Sequence, residues 1–286
     1  MPGALRSVRF EGAGRQVLAI ASVLVAATGL AACTTPAQKA DAIAREAGLE
    51  RAVVAGAGFN HVVYRGRAAA SSGVLHVYIE GDGRAYLDRW TVAPDPTPTS
   101  LVMLRLMATD RAPSLYLGRP CYFGLAGEAG CNPFFWTLGR FSQPVIDSMT
   151  AAIANEARDA GAIELYGHSG GGALAVLLAR RLDKVTRVVT LAGNLDPAAW
   201  AQLHDYSPLT GSESPLSGGP LHERIAQTHY AGSRDRNVPP ALLAEAVPRL
   251  GAGRLVVVAE ADHTCCWGTV WPAVLAAGAD AAPQRN

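Results

Sequence analysis

The residues with the clearest chemical potential lie in the segment Leu-Tyr-Gly-His-Ser-Gly-Gly-Gly-Ala at 165–173. Ser169 stands in a Gly-x-Ser-x-Gly spacing, after a short apolar run and before an Ala/Leu-rich helical pattern. A tight strand-to-helix turn would hold this serine in a strained conformation, and Cβ atoms two residues to either side would clash. The helix start would supply N–H groups where negative charge develops in acyl transfer. We predict that Ser169 is a nucleophile. The alternative, a phosphate-binding loop, requires a lysine after the glycines, and none follows.

This segment and the order of the polar residues after it resemble the α/β-hydrolase family over roughly residues 59–280. The resemblance implies an α/β-hydrolase fold and acyl-transfer chemistry that needs no metal or organic cofactor. It also implies an acid after a later strand and a histidine after the final strand. A serine hydroxyl is a weak nucleophile unless such a base takes its proton.

His263 matches the position of the base, because it follows the apolar run 255–259. The earlier histidines are less suitable as the base. His204 and His222 lie in a Pro/Gly-rich segment, and His229 lies inside a predicted strand. Asp235 lies in a Gly-x-x-Asp-x-x-Val-Pro sequence, the family's usual context for the acid that orients the base. Asp196 follows the preceding strand and is the fallback, and Asp262 is poorly placed because it adjoins the base. The predicted triad is Ser169–His263–Asp235.

The chemistry also needs donors for a developing oxyanion. The backbone N–H of Gly170, directly after the nucleophile, is the first candidate. The second is the backbone of Asp82, with Gly83 beside it, in a strand that runs into Glu-Gly-Asp-Gly at 80–83. Glu80 here replaces the histidine of the more familiar family pattern. A hairpin turn is the alternative, since Asp-Gly also favours hairpins. If this loop borders the site, its two carboxylates add negative charge there and disfavour anionic substrates.

The elements that must position these groups follow from the hydrophobic pattern. Short apolar runs rich in Val, Ile and Tyr predict strands at 59–64, 74–79, 114–117, 163–166, 185–191, 227–231 and 255–258. Helical patterns lie at about 144–160, 170–182, 239–248 and 267–278. This alternation predicts an α/β domain with a mostly parallel sheet and helices on both faces. The segment at about 196–224 is long for a connection and predicts a small lid or insertion.

The N-terminal residues have the pattern of an export signal. Residues 1–16 carry three arginines against one acid, and an apolar run, too short for a convincing membrane span, covers 17–32. The run ends in Leu-Ala-Ala-Cys at 30–33, which resembles the bacterial lipobox. That resemblance implies cleavage before Cys33, a lipid on its thiol and a membrane-anchored protein of the bacterial cell envelope. Thr34 in place of an aspartate favours the periplasmic side of the outer membrane. The alternative is an ordinary secreted protein.

These boundaries divide the chain into a signal peptide (1–32), a tether with a short N-terminal helix (33–55) and a hydrolase domain (56–286). Export permits disulfides, and Cys121 and Cys131 flank a Gly-rich loop that one bridge would close. The adjacent Cys265 and Cys266 could form a vicinal disulfide, or one of them could pair with a distant cysteine. A metal site with His263 is the less favoured alternative, because no second spaced pair accompanies the cluster.

Composition limits the remaining classes. The chain has 286 residues, 49% of them hydrophobic and 17% charged, with a formal net charge of +1. This length suits one α/β domain or two small ones, and the charge gives no reason to expect nucleic acid as a partner. The leading hypothesis is a serine hydrolase that cleaves a small-molecule or lipid ester. The alternatives are a peptidase or thioesterase on the same fold, and a non-catalytic envelope lipoprotein that retains the fold.

Overall fold

A computed structural model describes residue 3, residues 34–66 and residues 73–279. The predictions for the signal peptide and for Cys33 therefore fall on residues outside the described ranges, Gly3 excepted. The chain divides between residues 35 and 36, and the fold described below belongs to the second part. Within the described ranges, no helix is both long and apolar enough to cross a membrane.

Eight strands form one sheet in the order β1-β2-β4-β3-β5-β6-β7-β8. The strands are β1 (Glu50–Ala55), β2 (Asn60–Arg65), β3 (Val74–Ile79), β4 (Ser114–Leu117), β5 (Ala162–His168), β6 (Val185–Leu191), β7 (Ala226–Gly232) and β8 (Arg254–Val258). The β1–β2 and β2–β4 pairs are antiparallel, and every pair from β4 to β8 is parallel. The predicted mostly parallel sheet is confirmed, and its seven predicted strands are all present.

Helices cover both faces of this sheet, which explains why nearly all residues of its central strands are buried, instead of every second one. The helices are α1 (Pro36–Glu46), α2 (Val102–Met107), α3 (Gln143–Glu156), α4 (Gly170–Ala179), α5 (Pro197–Leu203), α6 (Pro240–Ala246) and α7 (Trp271–Ala279). Short 3₁₀ turns lie at Pro133–Trp136, Val247–Leu250 and Trp267–Thr269. One core packs α3, α4 and α6 on the sheet, and a second packs α1, α2 and α7 on the other side.

Three elements were not assigned from the sequence. Strand β1 lies in the segment given to the tether and N-terminal helix, and it pairs along its whole length with β2. Its outer edge is exposed, so its hydrophobic signal is weak. Helices α2 and α5 have only six and seven residues, which is too short for a clear helical period.

The segment between β6 and β7 is the predicted insertion. It begins with α5 and continues as turns that are tied to the domain by Arg180. The guanidinium of Arg180 donates to the backbone carbonyls of Pro215, Gly218, Gly219 and Pro220. These bonds fix the far part of the insertion against α4, while α5 remains beside the carboxyl ends of the strands.

Candidate active site

Ser169 lies in the sharp turn between β5 and α4. Its backbone has φ 53° and ψ −122°, a region that side-chain-bearing residues rarely adopt. Cβ atoms at Gly167 and Gly171 would clash with the backbone carbonyl oxygens of Gly171 and Ile79, respectively. The glycines of the motif are thus required by close backbone contact. All ten residues of α4 are buried, which fixes the direction of the turn.

Loops after three different parallel strands bring the predicted triad together. The Ser169 hydroxyl donates to Nε2 of His263 at 3.0 Å, and Nδ1 of His263 donates to Oδ2 of Asp235 at 2.8 Å. The side chain of Asp235 is fully buried, while 21% of the His263 side chain is exposed. The other carboxylate oxygen of Asp235 accepts the N–H groups of Asn237 and Val238 at 2.8 and 2.9 Å. Asp235 is therefore held with one oxygen directed at the imidazole.

Asn237 is a member of the site that sequence reasoning missed. Its Nδ2 donates to Nε2 of His263 at 2.9 Å, and its Oδ1 accepts the indole N–H of Trp200 at 3.2 Å. An indole nitrogen can only donate, so Trp200 requires Oδ1 on its side and directs the NH₂ group at the imidazole. This arrangement assigns Nε2 as an acceptor and Nδ1 as the protonated nitrogen. It also joins α5 to His263 through one side chain.

The alternative acids and bases make no hydrogen bond to Ser169. Asp196 caps α5 through the N–H of Ala199. Asp262 accepts the N–H groups of Thr264 and Cys265 in its own loop. His204 contacts the backbone carbonyl of Asn237, and the ring of His229 is buried against Thr190. His222 is exposed in the insertion.

The Asp82 loop lies against the serine turn. A Cβ at Gly170 would clash with the Asp82 carboxylate, so only glycine permits this approach. The backbone N–H groups of Asp82 and Gly170 make no hydrogen bond to other described residues. Both are therefore free to donate to an oxyanion. The Asp82 backbone carbonyl accepts the Tyr122 hydroxyl at 2.9 Å, which fixes the loop.

The negative charge expected from this loop is largely offset. Arg119 and Arg140 both donate to the Asp82 carboxylate, the latter at 2.9 Å. Burial alone would raise the pKa of Asp82, but the charges of Arg140 and Arg119 outweigh it and hold the pKa below its usual value. Oε2 of Glu80 accepts the N–H groups of Met103 and Leu104 at the start of α2. Both carboxylates are thus engaged with the protein.

His168 connects the base loop to the oxyanion loop. Its Nε2 donates to the backbone carbonyl of His263 at 2.6 Å, because a carbonyl oxygen can only accept. Its Nδ1 lies 3.6 Å from Oε1 of Glu80. In the described part of the chain, neither of these two buried atoms has a hydrogen-bond partner. The residue that precedes the serine is therefore buried beside both loops of the site.

Ser169 and His263 open into a cleft of about 1170 Å³, slightly larger than the usual small-molecule site. One wall is the loop between β3 and α2, which contributes Arg84, Tyr86 and Trp90. The opposite wall is α5 and the turn after it, which contributes Trp200 and Tyr206. Residues of the insertion therefore form part of the cleft wall.

The structure has one disulfide between Cys121 and Cys131, with Cα atoms 5.6 Å apart, and a vicinal one between Cys265 and Cys266. The second follows His263 after one residue, Thr264, and is exposed. In the described ranges, no three His, Cys, Asp or Glu side chains are grouped to hold a metal ion. The thiols near the base are thus oxidised to each other in this structure.

Comparisons with known proteins identify the fold. No protein-family model matches the sequence, and no curated protein matches it either. Among solved structures, the chain is similar to a bacterial membrane phospholipase A described as a virulence factor, with 17% identity and a TM-score of 0.58 over 94% of this chain and 99% of that one. It is also similar to an esterase from Pyrococcus furiosus (11% identity, TM-score 0.60, 82% and 91% of the chains). A third is Est1E from Butyrivibrio proteoclasticus, bound to ferulic acid (12% identity, TM-score 0.59, 80% and 98%). The chain has the α/β-hydrolase fold.

Proposed function

We propose that this protein is a serine hydrolase that cleaves a carboxylic ester, with Ser169 as nucleophile, His263 as base and Asp235 as the acid that orients it. One observation carries the proposal: an unbroken hydrogen-bond chain runs from Asp235 through His263 to a serine hydroxyl. That serine lies at the amino end of a buried helix, in the strained turn that exposes a nucleophile.

The chemistry follows from this chain of bonds. Oγ of Ser169 attacks the ester carbonyl carbon while Nε2 of His263 takes the hydroxyl proton, and Asp235 stabilises the imidazolium. The backbone N–H groups of Gly170 and Asp82 stabilise the oxyanion. The tetrahedral intermediate expels the alcohol, which takes the proton from Nε2. Water then attacks the acyl-enzyme with its proton passing to Nε2, and Ser169 and the carboxylic acid are released.

An ester substrate is favoured over a peptide whose free amino terminus would be bound beside Ser169. Such a peptidase would need a free carboxylate next to the serine turn. The Asp82 carboxylate, which lies against that turn, is bound by two arginines, and Oε2 of Glu80 is bound by backbone N–H groups. The similar solved structures include proteins named as an esterase and a phospholipase A, which supports the same substrate class.

We also propose that the protein is exported and anchored in the bacterial cell envelope through a lipid on Cys33. The support is the sequence: three arginines, an apolar run and Leu-Ala-Ala-Cys in the order of a lipoprotein signal. A Cys33→Ser variant should move from the membrane to the soluble fraction. Unchanged fractionation would contradict the anchor.

A fluorophosphonate probe tests the catalytic assignment, because it reacts with activated serines whatever the natural substrate. The wild-type protein should be labelled and Ser169→Ala should not. Equal labelling of the two would refute Ser169 as nucleophile. A panel of p-nitrophenyl esters, thioesters and aminoacyl amides then separates an esterase from a thioesterase or a peptidase.

A further inference from the structure

An aromatic rim surrounds the mouth of the cleft; we use this name for Tyr86, Trp90 and Tyr206. These side chains are 38%, 83% and 55% exposed, although all three line the cleft. Large aromatic side chains in water are costly, and a group of them at one opening marks a surface that contacts something apolar. The rim spans both walls, since Tyr86 and Trp90 lie on the β3–α2 loop and Tyr206 follows α5.

The exposure of Trp90 is built into its loop. The Asp88 carboxylate accepts the N–H groups of Trp90 and Thr91, each at 2.8 Å, and Tyr86 pairs with Val92 as an antiparallel bridge. These bonds close a tight turn that leaves the indole outside. Trp90 therefore projects from an ordered loop.

The N-terminal helix contacts a residue that lines the same cleft. Nζ of Lys39, in the first turn of α1, donates to the backbone carbonyl of Thr99 at 2.9 Å, and Thr99 lines the cleft. Helix α1 is also held by Asp41, which accepts the Tyr64 hydroxyl at 2.7 Å and pairs with Arg51 at 3.0 Å. The start of α1 is thus fixed beside the opening that leads to Ser169.

Chain length then limits how far the cleft can lie from the anchor. The three peptide units between Cys33 and Pro36 span at most about 11 Å. Three helical residues add about 4.5 Å to reach Lys39. Along the chain, the Cα atom of Cys33 can therefore be at most about 16 Å from that of Lys39, which contacts the cleft-lining Thr99. A domain of this size is about 45 Å across. A tether this short therefore keeps the membrane on the side of the domain where α1 begins, and excludes the opposite side.

We propose that the cleft opens toward the membrane that holds the Cys33 lipid, and that its substrates are acyl esters of membrane lipids. The aromatic rim lies at the headgroup level, where the amphipathic rings of Trp and Tyr are stabilised. A lipid that leaves the bilayer enters the cleft without crossing water. This inference rests on the proposed function and names the substrate class of the same site.

Fluorescence of Trp90 tests the orientation independently of catalysis. The other four tryptophans are at most 9% exposed, so Trp90 is the one that can meet lipid. The full chain with its own anchor is reconstituted into phosphatidylethanolamine–phosphatidylglycerol vesicles, with or without lipids brominated near the carbonyl end of the acyl chain. Brominated lipid should quench wild-type emission, and Trp90→Phe should remove that quenching. Equal quenching in the two proteins, or none, would overturn the proposal, as would a chain that does not stay with the vesicles.

Hydrolysis in the same vesicles tests the substrate class. Trp90→Ala should lower the ratio of vesicle-lipid to p-nitrophenyl acetate turnover at least tenfold. The control Val257→Ala removes a side chain that is 53% exposed and outside the cleft lining, and it should leave the ratio unchanged. An unchanged ratio in Trp90→Ala would overturn the proposal. A wild-type protein that hydrolyses neither ester and resists the fluorophosphonate probe would instead refute the proposed function, and the quenching would still report the orientation.

Discussion

Two buried histidines should make the fold sensitive to mild acid. The His61 ring donates from Nδ1 to the Gly118 carbonyl and accepts the Ser148 hydroxyl at Nε2, at 2.9 and 2.8 Å. Burial lowers the pKa of His61 from 6.5 to about 4, and burial lowers the pKa of His229 to about 4 as well. Both rings are thus neutral in the folded state at pH values where an unfolded chain protonates them.

The direction and size of the change in the free energy of unfolding with pH follow from proton linkage. Between pH 6.5 and 4 the unfolded state binds more protons, so the free energy of unfolding falls as the pH falls through this range. At pH 5 each histidine should lower it by about 2 kcal/mol relative to pH 8. Together they should remove about 4 kcal/mol, a large part of the 5–15 kcal/mol that stabilises a typical domain.

Urea unfolding at pH 8 and pH 5 measures this effect. His61→Asn and His229→Asn should each reduce the difference between the two pH values by about 2 kcal/mol, whatever they do to stability at pH 8. His222→Asn replaces an exposed histidine and is the control, with the difference unchanged. If the His61 and His229 variants keep the full wild-type difference, these rings are not the neutral buried groups described here.

Two further predictions concern the loop beside Ser169. Asp82→Asn should lower the free energy of unfolding by about 3–5 kcal/mol in urea, because it leaves Arg119 and Arg140 buried without a carboxylate. The control is Asp147→Asn, in the half-exposed pair with Arg181, which should lower the free energy of unfolding by less than about 1 kcal/mol. Equal losses of stability in the two variants would contradict the assignment of Asp82 as the partner of two buried arginines. Gly170→Ala should lower kcat/KM for p-nitrophenyl acetate by about 10²–10³, since its Cβ would clash with the Asp82 side chain and move the backbone N–H of Asp82 away from the oxyanion. Gly127→Ala, where a Cβ meets nothing within 4 Å, should leave kcat/KM unchanged, and a similar loss in both would argue against the donor role.

Much of the fold could be read from local pattern. Parallel strands covered on both faces are short apolar runs, and a helix that is buried all round is apolar all round, as β5 and α4 show. Strand β1 could not be predicted from the sequence, because its exposed edge weakens the hydrophobic pattern. Helices α2 and α5 could not be predicted either, because six or seven residues are too few to show a helical period.

The members of the predicted triad are recognisable from the order of strands and polar residues along the chain. Ser169, Asp235 and His263 each follow a strand of the same parallel sheet, and the carboxyl ends of parallel strands meet at one edge. Order along the chain was enough to bring them together, and the glycines around Ser169 encode the turn locally.

The groups that surround the triad come from distant parts of the chain and are seen only in the folded protein. Arg119 and Arg140 reach Asp82 across 37 and 58 residues, and Trp200 reaches Asn237 across 37. The Lys39–Thr99 bond that brings the N-terminal helix to the cleft spans 60 residues. Such partners are set by how loops pack after the sheet has formed, and no spacing or period along the chain carries that information.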